Sequence, residues 1–174
     1  MGLETLLPAD FCMTSRTNGS IKYFSFVLRD RARSRPAPGE LKMSSGVLVV
    51  GHGSKLQFNK DLVVSAVAKM DRMKEFGPVS AAFMQLNEPD IRTGIRALVD
   101  KGVDTIYVQP CFLASGIHLT EDIPGEIGLE KGETEATMMV DGKRINLRYC
   151  EPIGDDDRIA AILADRVRQR AQKG

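Results

Sequence analysis

Five consecutive residues, Gly46-Val47-Leu48-Val49-Val50, carry no polar side chain and are cut off by Gly51. A run this short, apolar at every position and rich in β-branched residues, predicts a strand covered on both faces. Such a strand needs parallel neighbours and helices above and below it. The rest of the chain has the pattern to supply them. Phe58, Leu62, Val63, Ala66, Val67, Met70 and Met73 recur at helical spacing, with Asp61, Lys69, Asp71 and Lys74 as the wet face. The pair Met70 and Met73 is read as core. Gly77-Pro78 closes that helix and opens a strand from Val79 to Met84. Pro89 suits the first turn of a second helix, whose buried stripe is Ile91, Ile95, Leu98 and Val99. Thr105 to Val108 is a third strand running on towards Cys111, and a short helix is expected over 120–129.

Asp141-Gly142 lies between Met138-Met139-Val140 and Ile145 to Tyr149, which reads as a hairpin feeding a fourth strand. A last helix over 155–171 is expected to bury Ile159, Ile162, Leu163 and Val167, with Asp155, Asp156 and Asp157 at its positive end. Strand and helix alternate in units of about 25 to 30 residues, as right-handed crossovers of a mainly parallel sheet require. The expected fold is α/β: an open, mainly parallel, flavodoxin-like sheet of four principal strands with flanking helices and a short hairpin before the last strand.

Charge narrows the function classes. Lys plus Arg number 24 against 23 Asp plus Glu, so a general electrostatic grip on nucleic acid is not expected. No apolar run approaches the roughly 18 to 20 residues of a membrane-spanning helix. Cys12, Cys111 and Cys150 show no CxxC spacing and fit a reducing cytoplasm better than a disulfide framework. Residues 1–42 differ from the remainder: they hold seven basic and four acidic residues, including Arg29, Arg31, Arg33 and Arg35 before Pro36. They read as a disordered leader, or as sequence upstream of a working start at Met43, with 43–174 as one domain. That domain is small for an α/β enzyme enclosing a large ligand, which points to a dimer.

The chain has two histidines. His52 stands in Gly51-His52-Gly53-Ser54, just after the first strand, and His118 ends the loop after the third strand. Open α/β sheets bind ligands outside the carboxyl ends of their strands, so two residues 66 positions apart can meet there. Imidazole binds cobalt, nickel, iron and zinc and exchanges protons near neutral pH. The pair therefore reads as a metal or acid–base site. Glu88, after the second strand, lies on the same edge and reads equally well as a carboxylate at a helix start.

Gly51 to Ser54, Phe83-Met84 with Glu88-Pro89, and Phe112-Leu113-Ala114 through Gly116-Ile117-His118 to Asp122-Ile123-Pro124 come in fixed order. Glu151-Pro152-Ile153-Gly154 and Asp156-Asp157-Arg158-Ile159 follow. Together these segments resemble the short-form, CbiX-like sirohydrochlorin chelatases over residues 46–170. The resemblance implies a nucleotide-independent lyase, a cobaltochelatase or nickelochelatase, that inserts a divalent metal into sirohydrochlorin. Such an activity serves cobalamin biosynthesis or the nickel tetrapyrrole of methanogenesis. It implies His52 and His118 as metal ligands, with His52 also the base. It implies Glu88 and Leu113, Ala114, Ser115, Gly116, Ile117 and His118 as contacts to the macrocycle, and a symmetric homodimer. No prosthetic group is implied; cobalt(II) or nickel(II) is substrate.

Two departures matter. Ser115 stands where many relatives have another histidine, and residues 130–144 lack the histidine-rich stretch that some carry. A third imidazole and metal storage are therefore not expected. The substrate's carboxylates call for nearby cations, with Lys55, Arg92 and Arg158 as candidates. Other readings are a sirohydrochlorin ferrochelatase for sirohaem, a non-catalytic two-histidine metal carrier, or a phosphohistidine enzyme. The last lacks an arginine before the histidine, since Gly51 stands there.

Overall fold

The structure is a computed structural model that describes residues 44–174. The leader expected over 1–42 lies outside the described residues, as do Met43 and Cys12. Five strands form one sheet in the order β2-β1-β3-β5-β4. They are β1 (Ser45–Gly51), β2 (Val79–Phe83), β3 (Thr105–Pro110), β4 (Glu135–Val140) and β5 (Lys143–Tyr149). The helices are α1 (Gln57–Met73), α2 (Ile91–Asp100), α3 (Ile123–Glu126) and α4 (Asp157–Ala171), with a turn of π-helix, His118–Asp122, leading into α3.

β1 is buried along its whole length because it is flanked in parallel by β2 and β3. β5 adds in parallel to β3, and β4 folds back antiparallel on β5 around Asp141-Gly142. The expected hairpin is present, and its first arm makes a fifth, edge strand beyond the four principal ones. That arm escapes the count because Glu135, Thr137 and Met139 point to solvent, leaving only a half-apolar alternation.

The two faces of the sheet are covered unequally. On one, Leu48, Val50, Ile106, Val108, Ile145 and Leu147 meet the α2 stripe of Ile91, Ile95, Leu98 and Val99 together with Ile123 and Ile127. All four predicted α2 positions are buried. The helix begins later than expected: Pro89 precedes it and Asp90 caps it, accepting from the Thr93 N–H at 2.7 Å. A hydrogen bond from the Thr93 side chain first, then this backbone one, holds the Asp90 carboxyl below its ordinary range. On the other face, Val47, Val49, Val79 and Phe83 pack on Val63 of α1, with Val67 and Met70 half-buried beside them.

Two expectations about the helices fail. Phe58, Leu62 and Met73 of α1 are exposed, so of the Met70, Met73 pair only Met70 packs against the core. α4 buries none of its residues, and Ile162, Leu163 and Val167 stand 54%, 61% and 69% exposed. Among the described residues no element packs closely against this helix, and β5 turns Arg144, Asn146 and Arg148 outward, so the apolar stripe has no apolar floor in the chain. The helix itself is properly started, with Asp156 at its N-cap accepting from the Arg158 N–H. The Arg158 side chain, then its backbone N–H, holds the Asp156 carboxyl at about 2.

Candidate active site

The loops after β1, β2, β3 and β5 gather at one edge of the sheet. β1 continues past its last residue because Gly51 and His52 carbonyls accept from the Met84 and Gln85 N–H groups at 3.0 and 3.2 Å. The Gly53 N–H donates to Asn59 Oδ1 at 3.2 Å and the Ser54 N–H to Asn87 Oδ1 at 2.8 Å. Glycine is obligatory at 53: its φ is +86°, and a Cβ would stand 1.7 Å from the Gln85 carbonyl oxygen. His52 is thus locked by backbone on both sides.

His118 arrives by a different route. The Ile153 and Gly154 N–H groups donate to the Phe112 and Leu113 carbonyls at 3.0 and 2.9 Å, so the segment after β5 pins the start of the loop after β3. Gly116 then starts the π-helical turn, its carbonyl accepting from the Leu119 and Thr120 N–H groups. Within that turn His118 Nδ1 lies 2.6 Å from Asp122 Oδ2, four residues on. The Tyr149 hydroxyl donates to the Leu119 carbonyl at 3.1 Å and ties the turn down to β5. Burial first, then the charges of Glu151 and Cys150, pushes the Tyr149 hydroxyl up to about 12.

The two imidazoles meet with ring centroids 5.0 Å apart and planes at 69°. The Phe112 ring lies edge-on to His52 at 6.2 Å. Each imidazole has one nitrogen already engaged. His52 Nδ1 is 2.8 Å from the Gly53 carbonyl, which can only accept, so Nδ1 carries the proton and Nε2 a lone pair. His118 Nδ1 faces the Asp122 carboxylate, which likewise leaves Nε2 as the donor nitrogen. Carboxylate behind histidine is the arrangement that orients metal-binding imidazoles.

Glu88 is exposed, and its carboxylate accepts from the Asp90 N–H at 3.1 Å rather than from a ring nitrogen. Gln85, which the sequence did not single out, places its side-chain nitrogen 3.1 Å from His52 Nε2. Asp122 was noted only as part of a motif; its i+4 spacing from His118 on a helical turn was the usable signal. Cys111 and Cys150 are half-buried, and both are free. Burial raises both thiols, which keeps them protonated and poor ligands. Among the described residues no group of three or more His, Cys, Asp and Glu side chains stands ready to hold a metal ion.

Large apolar side chains rim the same edge. Leu86 (after β2), Leu113 and Ile117 (after β3), and Ile153 (after β5) are all exposed. Leu86 is held at φ +64°, a left-handed conformation uncommon for leucine and concentrated at functional sites. Of the candidate cations, Arg158 is engaged by Asp156 at 2.6 and 2.7 Å. Among the described residues no helix is long and apolar enough to cross a membrane.

Comparison with known proteins shows the family. The chain is 42% identical over 126 residues to a sirohydrochlorin cobaltochelatase of Methanosarcina acetivorans, covering 71% of this chain and 95% of that one. It is 38% identical over 124 residues to the enzyme of the same name from Methanosarcina barkeri, again covering 71% and 95%. Among solved structures, the sirohydrochlorin chelatase SirB of Bacillus subtilis subspecies spizizenii in complex with cobalt superposes with a TM-score of 0.60 at 25% identity. The match covers 72% of this chain and 50% of that one. The CbiX protein from Marinobacter aquaeolei superposes with a TM-score of 0.54 at 23% identity, covering 75% and 99%. The CbiX family model matches residues 46–170, and the chain belongs to that family.

Proposed function

We propose that this protein is a sirohydrochlorin chelatase that inserts cobalt(II) into its tetrapyrrole without a nucleotide, with nickel(II) as a second substrate metal. The observation that carries this reading is the imidazole pair, 5.0 Å apart with both Nε2 atoms available as donors, on an edge rimmed by exposed leucine and isoleucine. A flat macrocycle offers those side chains apolar area, and its ring nitrogens can be brought over a metal held by the histidines.

The chemistry balances with the residues present. A divalent ion replaces two pyrrole protons, so two protons must leave as four ring nitrogens take the metal. His52 and His118 hold the ion through neutral imidazoles, a set weak enough to give it up; His52 takes one proton once its lone pair is released, and solvent water at this open edge takes the other. Leu113 to His118 contact the macrocycle, and Glu88 lies on the same edge for a polar contact. The names of the relatives support cobalt over iron, and ligand type alone does not separate cobalt from nickel.

In this reading the protein acts in the cytoplasm as a homodimer, held by the exposed apolar residues of α1 and α4, notably Phe58, Leu62, Ile162, Leu163 and Val167. Visible spectra of anaerobic sirohydrochlorin with the protein and cobalt(II), nickel(II) or iron(II) in turn test the reaction. Metal-specific band shifts faster than in the protein-free control support it. Tight metal binding with no acceleration by any ion would make the protein a metal carrier instead.

A further inference from the structure

Two asparagines reach the loop that carries His52, and they hold different peptide units. Asn59 Oδ1 accepts from the Gly53 N–H at 3.2 Å. The carbonyl of that unit belongs to His52 and accepts from the Gln85 N–H, so the unit is fixed at both ends without the imidazole. The next unit joins Gly53 to Ser54. Its N–H donates to Asn87 Oδ1 at 2.8 Å, and its carbonyl is the one 2.8 Å from His52 Nδ1. A trans peptide is planar, with its N–H and C=O pointing opposite ways. Whatever holds the Ser54 N–H therefore aims the Gly53 carbonyl. Gly53 has no Cβ to bias that plane. Asn87 is itself placed, since its own N–H donates to the Gln85 carbonyl at 2.8 Å.

We propose that Asn87 is a positioning residue that sets the tautomer of His52. By fixing the peptide between Gly53 and Ser54 it keeps a carbonyl in front of Nδ1. That carbonyl can only accept, so the proton stays on Nδ1 and the lone pair on Nε2. The hydrogen bond at the N–H end also polarises the carbonyl and strengthens its hold on the ring. That the Nε2 lone pair serves a metal rests on the chelatase reading; the control of the tautomer does not.

The test follows the imidazole nitrogens of the full chain by nitrogen–proton correlation NMR, without metal, at about pH 8, where an ordinary imidazole is neutral. The chain has two histidines, so His118→Ala assigns the signals. Wild type should carry the His52 proton on Nδ1. Asn87→Ala should lose that preference, and Asn87→Asp, which keeps an acceptor oxygen, should restore it. Asn59→Ala disturbs only the other peptide unit and should match wild type. Thermal melts check folding, and Asn87→Ser, whose hydroxyl stops short of the Ser54 N–H, replaces an alanine variant that does not fold. A wild type with the proton on Nε2, an Asn87→Ala protein that keeps it fully on Nδ1, or an equal change in Asn59→Ala would overturn the assignment. Cobalt(II) alone is then titrated by calorimetry. Only molecules with the proton on Nδ1 offer the Nε2 lone pair, so the Kd of Asn87→Ala should rise by at least the reciprocal of their fraction. An unchanged Kd beside a changed tautomer would remove His52 Nε2 from the metal site and leave the role of Asn87 standing.

Discussion

His52 and His118 reach the same point by opposite means. His52 sits on an extension of a buried strand, fixed by main-chain bonds to the β2 loop and by a glycine that tolerates no Cβ. His118 sits on a single turn of π-helix whose anchors are side chains, Asp122 in front and Tyr149 behind. The first histidine is positioned by backbone and is hard to adjust. The second is positioned by groups that single substitutions can remove, so its orientation is the adjustable half of the site.

Substitutions sharpen that contrast. The largest effect is expected at Gly53→Ala, where a left-handed φ and an overlap with the Gln85 carbonyl force the whole loop to move. Stability should fall by about 2 kcal/mol or more, read by denaturant melts, and metal insertion should be lost with it. A well-folded, active alanine variant would mean that the His52 loop is not locked. Asp122→Asn should leave the fold intact and lower cobalt affinity by about 10- to 100-fold, measured by calorimetry. An unchanged affinity would show that the carboxylate does not orient the ring.

The smallest effect belongs to Tyr149→Phe, which removes the bond to the Leu119 carbonyl at a cost of about 1 kcal/mol. It also carries a pH signature. The hydroxyl holds its proton up to about 12 when folded and only to about 10 when unfolded, so the folded state is the one that keeps the proton. The stability linked to it is whole below pH 10 and is lost as the pH rises towards 12. Melts of wild type and Tyr149→Phe over that range should converge, and parallel curves would break the assignment.

How much of this could be read from the sequence depended on what each residue has to face. The β1 run and the α2 stripe were legible because their partners lie in the same chain, and all four α2 positions are buried. α4 shows equally clear periodicity, yet periodicity says that a face is apolar and not what covers it. Met73 and Phe58 fail for the same reason. The two histidines were legible from their place after β1 and β3. Gln85 was not, because an exposed glutamine in a loop looks ordinary until its amide is seen against the His52 ring. Glu88 attracted attention as the charged residue of that loop, and its carboxylate is engaged at the entry to α2 instead.

The central claim is that the imidazole pair delivers a metal to sirohydrochlorin. It is tested most directly by following the cobalt-dependent band shift of anaerobic sirohydrochlorin with wild type and His118→Ala. The variant should keep the wild-type melting behaviour, since the residue lies on a surface turn, and should insert cobalt no faster than the protein-free control. Insertion at the wild-type rate by a folded His118→Ala protein would contradict the two-histidine site.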